Sequence, residues 1–288
     1  MAGILYVVAT PIGNLGDLSP RAAEVLRTVG VVAAEDTRRT MKLYAHLGAP
    51  APRFVALPAF DERARLAPVL AHLAAGGDAA LCTDAGTPGV SDPGQQLVAA
   101  AWAAGARVVP LPGPCAAVAA LVASGLPSER FLVQGFLPRK GGARAEALAM
   151  LARLPATLVV YEAGNRTGAT LADLAAALGD RPAAVARELT KLHEEIARGT
   201  LSELAARFAD GARGEVTIVV AGAPAGAVAD EPSEPLDDEL RRRLAAGEPP
   251  SAIAREVARA RALRRADVYD ALERVKRLPP PPPPPDPE

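Results

Sequence analysis

Residues 4–28, ILYVVATPIGNLGDLSPRAAEVLRT, read in order as a strand, a glycine-bearing loop and the first turns of a helix, and that order decides the fold class. The β-branched run over 4–9 suits a strand. The loop Thr10-Pro11-Ile12-Gly13-Asn14-Leu15-Gly16-Asp17 ends it. Ser19 before Pro20 then starts a helix, because the serine side chain caps free N–H groups and proline fits the first turn. The alternation recurs outward, with strands expected over 31–35, 53–57, 79–83 and 107–111 between Ala/Leu-rich stretches of helical period. This is the pattern of α/β units on a largely parallel sheet. The stretch 62–75, ERARLAPVLAHLAA, reads as one helix bent at Pro68.

A second set of strands, over 131–136, 157–161, 184–188 and 215–221, follows the loop 126–130 and predicts a second α/β domain. The expected division is an N-terminal α/β domain at 1–125, a C-terminal α/β domain at 126–223 and a turn-rich linker at 224–235. Three short helices follow at 236–278, a helix-turn-helix-like domain with Ile253, Val257, Leu263, Val268 and Leu272 as its apolar core. Arg264 stands where a capping serine would be usual. The proline-rich tail at 279–288 lacks side chains that pack, so it reads as polyproline II or disorder.

The chain has 288 residues, half of them hydrophobic but only 3% aromatic, so small aliphatic side chains must fill its interior and base-stacking platforms are scarce. A formal net charge of −1 excludes the general attraction of a strongly basic nucleic-acid binder. Any nucleic acid must meet a local patch. Residues 236–278 supply one, with eleven Arg/Lys against eight Asp/Glu. There Arg241, Arg242, Arg243, Arg259, Arg261, Arg264 and Arg265 are candidates for sequence-independent phosphate contacts. Cys82 and Cys115 form no disulfide framework and suit a reducing compartment. With no basic, apolar leader and no window near the ~20 apolar residues of a membrane span, a soluble cytoplasmic protein is expected, without a membrane partner. His46, His72 and His193 have no zinc-site spacing, so no metal is expected. No G-x-S-x-G element supports hydrolase chemistry.

Loops at the predicted carboxyl ends of strands concentrate Gly, Pro, Thr and Asp, the composition needed where backbone must approach a ligand. The first, 10–17, is neither a Walker loop nor a G-x-G-x-x-G element. The second, Thr83-Asp84-Ala85-Gly86-Thr87-Pro88-Gly89-Val90-Ser91-Asp92-Pro93-Gly94, is about twice the usual length of such a connection. The third, Leu111-Pro112-Gly113-Pro114-Cys115, enters an Ala-rich helix whose small residues let another chain or a cofactor come near. The fourth is Tyr161-Glu162-Ala163-Gly164-Asn165-Arg166. Two charged clusters accompany them: Glu35-Asp36-Thr37-Arg38-Arg39 after a strand, and Arg187-Glu188-Leu189-Thr190-Lys191 in the second half.

In order along the chain, VATPIGNLGDLSPRA, AAEDTRRT, TDAGTPGVSDPG, PLPGPCAAVAAL, GLPSERFLVQGFLPRK, YEAGNR and ARELTKLHEE resemble the signatures of the ribosomal RNA small subunit methyltransferase I family, within the tetrapyrrole methylase superfamily. The likeness spans roughly residues 4–222, and the segment after the linker resembles the family's C-terminal helix-turn-helix domain. The resemblance implies 2′-O-methylation of a cytidine, position 1402 of 16S ribosomal RNA, with S-adenosylmethionine bound between two α/β domains. It also implies a homodimer whose partner is 16S RNA or the small ribosomal subunit. Carried over by position, it implies cofactor contacts at Pro11, Ile12, Ala85, Gly86, Thr87, Val90, Cys115, Ala116, Glu162 and Leu189. Asn165 stands where most family members have His, so a role needing that proton does not carry over.

Ribose methylation needs a proton acceptor and help for the developing alkoxide. Glu35 or Asp36 is the candidate acceptor and Lys191 the candidate cation; Arg38, Arg39 and Arg166 join the arginines that meet RNA. A tetrapyrrole or other small-molecule methylase, and a non-catalytic ribosome-assembly factor that kept the fold, are the rival readings.

Overall fold

The computed structural model describes residues 2–224, 235–261 and 263–277, so the expected linker, apart from its end residues, and the proline-rich tail lie outside the described residues. The chain divides into two compact units, Met1–Ala223 and Pro224–Glu288.

The first unit opens with strands β1 (Ile4–Val8), β2 (Val31–Ala34), β3 (Arg53–Ala56), β4 (Ala79–Cys82) and β5 (Arg107–Leu111). They form a wholly parallel sheet in the order β3-β2-β4-β1-β5. Helices α1 (Pro20–Thr28) and α2 (Thr37–Leu47) cover one face, burying Leu26 and Tyr44 against Val8, Val32 and Cys82. Helices α3 (Ala67–Ala74) and α4 (Gln95–Ala103) cover the other, with Leu73 and Leu97 against Leu5, Val31 and Leu81. Cover on both faces explains why β2 and β4 are buried along their whole length. Ser19 caps α1 as expected, accepting from the Ala22 N–H at 3.2 Å with Pro20 in the first turn. The expected bent helix over 62–75 is not formed. Residues Arg63–Arg65 make a 3-10 turn, and Pro68 sits in the first turn of α3, where its missing N–H costs nothing.

The topology also fixes where a ligand can sit. After β1 and β2 the chain moves toward β3 through α1 and α2, whereas after β3 and β4 it moves back through α3 and α4 on the opposite face. The connections therefore diverge beyond the carboxyl ends of the adjacent strands β1 and β4, which opens a crevice there.

The second half begins with a helix that leaves its own sheet. Helix α5 (Ala116–Ser124) follows β5, yet Ala117, Ala120 and Leu121 pack on Val159, Ala184, Ala186 and Val219 of the second sheet. Its small residues serve that close approach. The second sheet contains β6 (Phe131–Phe136), β7 (Thr157–Ala163), β8 (Pro182–Arg187), β9 (Glu195–Thr200) and β10 (Glu215–Val220), ordered β6-β7-β10-β8-β9. Only the β6–β7 pair is parallel. Its far face is covered by α6 (Gly142–Ala152), α7 (Thr167–Leu178) and α8 (Leu201–Arg207), which bury Leu151, Leu171, Leu174 and Leu201. Strand β9 was not expected from its sequence, EIARGT. It is an edge strand pairing with β8 alone, and its polar character protects that edge.

The second unit holds α9 (Leu236–Ala245), α10 (Pro250–Ala260) and α11 (Arg265–Arg277). Ile253, Val257, Val268 and Leu272 form its core with Leu240 and Val275. Leu263 does not join them and is 39% exposed, because it lies in the turn between α10 and α11, where helical spacing no longer applies.

Candidate active site

The crevice beyond β1 and β4 is shaped by backbone first. Thr10 and Gly86 exchange two N–H···O bonds of 2.9 Å, tying the first loop to the long loop after β4. The Thr10 hydroxyl donates to the Thr83 carbonyl at 3.1 Å, and the Thr87 hydroxyl to that of Pro114 at 3.0 Å. Three loops of the first half are thus fastened to one another. The second half attaches through Tyr161, whose hydroxyl accepts the Ala117 N–H at the start of α5 at 3.2 Å.

Between the halves lies a cavity of about 310 Å³, within the range of small-molecule sites, roughly 300–1,000 Å³. Ile12, Ala85, Gly86, Thr87, Val90, Cys115, Ala116, Glu162 and Leu189 line it, all expected at a cofactor site. Pro11 lies beside Ile12 on the same loop but is not in the wall. The Glu162 carboxylate is turned to structural partners: it accepts from the Thr170 hydroxyl at 2.6 Å and from the Ala163 N–H, with Arg166 3.5 Å away. Among the described residues, the non-glycine positions with left-handed backbone are Ser91, Glu188 and Thr190, all on loops at this cavity. Such strain persists where surrounding structure holds it, and it gathers at functional sites.

The charged groups sort by environment. Glu35 lines the cavity, accepts the Asp84 N–H at 3.1 Å, and has its carboxyl pushed up by burial. Asp36 instead caps α2, accepting from the Arg38 N–H at 2.8 Å and from the Arg38 guanidinium, which holds its carboxyl down at about 2. Of the two expected proton acceptors, Glu35 has the raised proton affinity and faces the cavity. Arg39 lines the wall and pairs with Asp84 at 3.3 Å, whereas Arg38 points outward, its side chain 83% exposed. Lys191 is in the wall and its Nζ lies 2.9 Å from Glu188 Oε1.

Several wall residues escaped the sequence reading, among them Asp92, Phe136 and Glu215. Asp92, in the long loop, is pushed up to about 7, first by burial and then by the negative charges of Glu35, Asp84 and Glu215. Its loop was conspicuous, but Glu215 belongs to the other sheet, and no local spacing announces their meeting. Cys82, by contrast, is a core thiol that burial raises to about 12. Among the described residues, no group of three or more His, Cys, Asp or Glu is placed to hold a metal ion, and no helix is long and apolar enough to cross a membrane.

In the second unit the arginines divide between structural and outward-facing roles. Arg243 is bound by Glu248 and Glu256, and Arg261 by Glu239, with side chains 15% and 13% exposed. Arg241 pairs with Asp238, and Arg242 is exposed. Arg264 reaches Asp267 from a side chain 85% exposed, and Arg265 lies over the Tyr269 ring at 5.6 Å. Arg259 lies on α10, with its side chain outside the described residues.

The family described as Tetrapyrrole (Corrin/Porphyrin) Methylases matches residues 4–205. A protein of Synechocystis sp. named ribosomal RNA small subunit methyltransferase I is 47% identical over 93% of this chain and 96% of its own length. Another of that name, from Micromonospora olivasterospora, is 54% identical over 77% of this chain and 72% of its own. Among solved structures, uroporphyrin-III C-methyltransferase from Thermus thermophilus, complexed with S-adenyl homocysteine, resembles the fold with a TM-score of 0.55 at 23% identity. It covers 76% of this chain and 97% of that one.

Proposed function

We propose, since this chain belongs to the ribosomal RNA small subunit methyltransferase I family within the tetrapyrrole (corrin/porphyrin) methylases, that it uses S-adenosylmethionine to methylate the ribose 2′-oxygen of a cytidine in 16S ribosomal RNA. One observation carries the reading: Gly/Pro loops of one half and a strained loop of the other enclose a single cavity whose wall presents Glu35, Asp92 and Lys191. The sulfonium of the donor is a cation. A wall of Glu35, Asp84, Asp92 and Glu215, interspersed with apolar Ile12, Val90, Ala116 and Leu189, is a donor set that fits it. In this reading Ile12, Ala85, Gly86, Thr87, Val90, Cys115, Ala116, Glu162 and Leu189 hold the donor, and Pro11 stiffens the first loop. When bound, the donor supplies an electrophilic methyl group.

The chain's own residues manage the proton and the charge. A ribose hydroxyl is a poor nucleophile until a carboxylate takes its proton, and a group titrating near the working pH does this best. Asp92 has that property and Glu35 stands beside it as the alternative acceptor. Lys191 steadies the developing alkoxide, and Asp36 orders the loop by capping α2. Arg38, Arg39 and Arg166 on the first unit, with Arg242, Arg259, Arg264 and Arg265 on the second, take phosphates; Arg241, Arg243 and Arg261, held by carboxylates, support them. Homodimerisation and cytoplasmic location belong to the same reading and rest on family membership.

The test is methyl incorporation from labelled donor into small ribosomal subunits, followed by mapping of the modified nucleotide. A 2′-O-methylcytidine at position 1402 is expected. Incorporation into uroporphyrinogen instead, or donor binding without incorporation into either, would overturn the reading.

The second unit has its own core, so its removal leaves the first intact in this reading. Deleting residues 236–288 is expected to weaken RNA affinity on the order of tenfold or more and to flatten its salt dependence. S-adenosylhomocysteine affinity, measured by calorimetry, is expected to stay within about twofold. Equal RNA affinity with and without the segment would remove the assignment.

A further inference from the structure

Phe136 stands out in a chain with few aromatic residues: it lines the cavity, yet is 59% exposed. Ordinary strand alternation would not place it there. Val133 pairs with Val159, on the face that packs against α5. Counting by twos from Val133, residue 136 falls on the opposite face, among the leucines under α6 and α7. The β6–β7 register shifts between Val133 and Gly135, leaving Gln134 as an extra residue, and Gly135 takes a left-handed φ of 69°. This bulge turns Phe136 to the cavity side, opposite Tyr161, and returns Leu137 to the core at 4% exposure. Bulges are common beside active sites for this reason: they re-aim a side chain that the strand period would send elsewhere.

The ring is also held. Its centroid is 5.7 Å from that of Tyr161 at an interplanar angle of 55°. Tyr161 is fixed in turn by its hydrogen bond to the Ala117 N–H. A side chain at Gly135 would be strained by the left-handed φ, and its Cβ, 2.5 Å from the Ser91 hydroxyl, would push that hydroxyl aside. The bulge, the glycine and the tyrosine together keep a large apolar face open to solvent at the cavity rim, away from the core that would otherwise bury it.

We infer that Phe136 is the stacking platform for the nucleobase of the target nucleotide, holding the extruded base at the rim while its ribose enters the cavity. An exposed, immobilised π-face suits this task because stacking tolerates any base and needs no hydrogen-bond partner. The inference rests on the RNA-methylation reading above.

Single-turnover methylation of small ribosomal subunits, run beside calorimetry with S-adenosylhomocysteine, tests it. Phe136→Ala is expected to lower kcat/KM about 5- to 100-fold, as loss of one base–aromatic stack does. Its melting temperature is expected to stay within a few degrees and S-adenosylhomocysteine affinity within about twofold. Phe136→Trp is expected to retain activity within about threefold, because it keeps a stacking face. Wild-type kcat/KM in Phe136→Ala overturns the inference. So does a loss of S-adenosylhomocysteine affinity that matches the loss of rate, which would assign the ring to the donor. Equal impairment of Phe136→Trp and Phe136→Ala also overturns it. An inactive wild-type chain would instead bring down the RNA reading and this inference together.

Discussion

Asp92→Asn is expected to lower methyl transfer by roughly 10²- to 10⁴-fold near neutral pH, the usual contribution of a positioned general base. It is also expected to abolish the rise of rate with pH. In the unaltered chain the rate should climb as the pH passes through about 7, where Asp92 ionises. The cause is burial first and then repulsion from Glu35, Asp84 and Glu215, with Arg39 and Lys191 the cations on the same wall. Glu35→Gln removes one of the repelling charges. It should therefore shift the midpoint to lower pH and leave much of the plateau rate, since Asp92 itself is still there to take the proton. If Glu35→Gln is the inactive variant and Asp92→Asn keeps its pH profile, the proton goes to Glu35. Stability supplies an independent sign. A carboxyl raised from 3.8 to about 7 favours the folded state at low pH, and that contribution is lost as the pH rises through about 7. Asp92→Asn should accordingly gain more melting temperature at pH 8 than at pH 5.

Whether such a residue is legible in sequence depends on where its neighbours lie. The loops around the cavity were readable because strand, breaker and helix start are local signals, as Val8, Pro11 and Ser19 illustrate. Asp92 was visible as a letter but not as a base, because its proton affinity is set by Glu35, fifty-seven positions earlier, and by Glu215 on the other sheet. Phe136 reads as a core residue until the bulge at Gln134 is known. Helix α5 announced a close approach through its alanines, but not that the second sheet was the partner. Strand β9 has no apolar period to reveal it, since an edge strand needs only one buried side. In the second unit composition counted arginines correctly yet gave no sign that Arg243 and Arg261 are bound by glutamates.

Gly13→Val is expected to reduce methyl transfer by about 10²-fold while leaving the melting temperature within a few degrees. Gly13 is where the first loop touches the strained loop of the second half. A Cβ there would lie 2.6 Å from Lys191 Cγ, 2.8 Å from Thr190 Oγ1 and 3.0 Å from the Leu189 carbonyl oxygen. Little can give way. Glu188 and Thr190 already hold left-handed φ values of 50° and 67°, and Lys191 is tied to Glu188 at 2.9 Å. The added methyl groups must therefore push the two loops apart, carrying Lys191 and Leu189 away from the cavity wall. The cores under the outer helices of the two sheets lie elsewhere, and only the edge of the α5 cluster, where Leu189 packs, is disturbed, so the loss of stability is small. Gly16→Ala, on the same loop, provides the control: its Cβ would approach Asn14 Oδ1 at 3.1 Å, the end of an exposed side chain. That variant should stay within about threefold of the unaltered rate, because nothing on the second half stands in its way. Normal methylation by Gly13→Val would mean that the two loops are free to separate without consequence. Catalysis would then not depend on the second half holding Lys191 against the first.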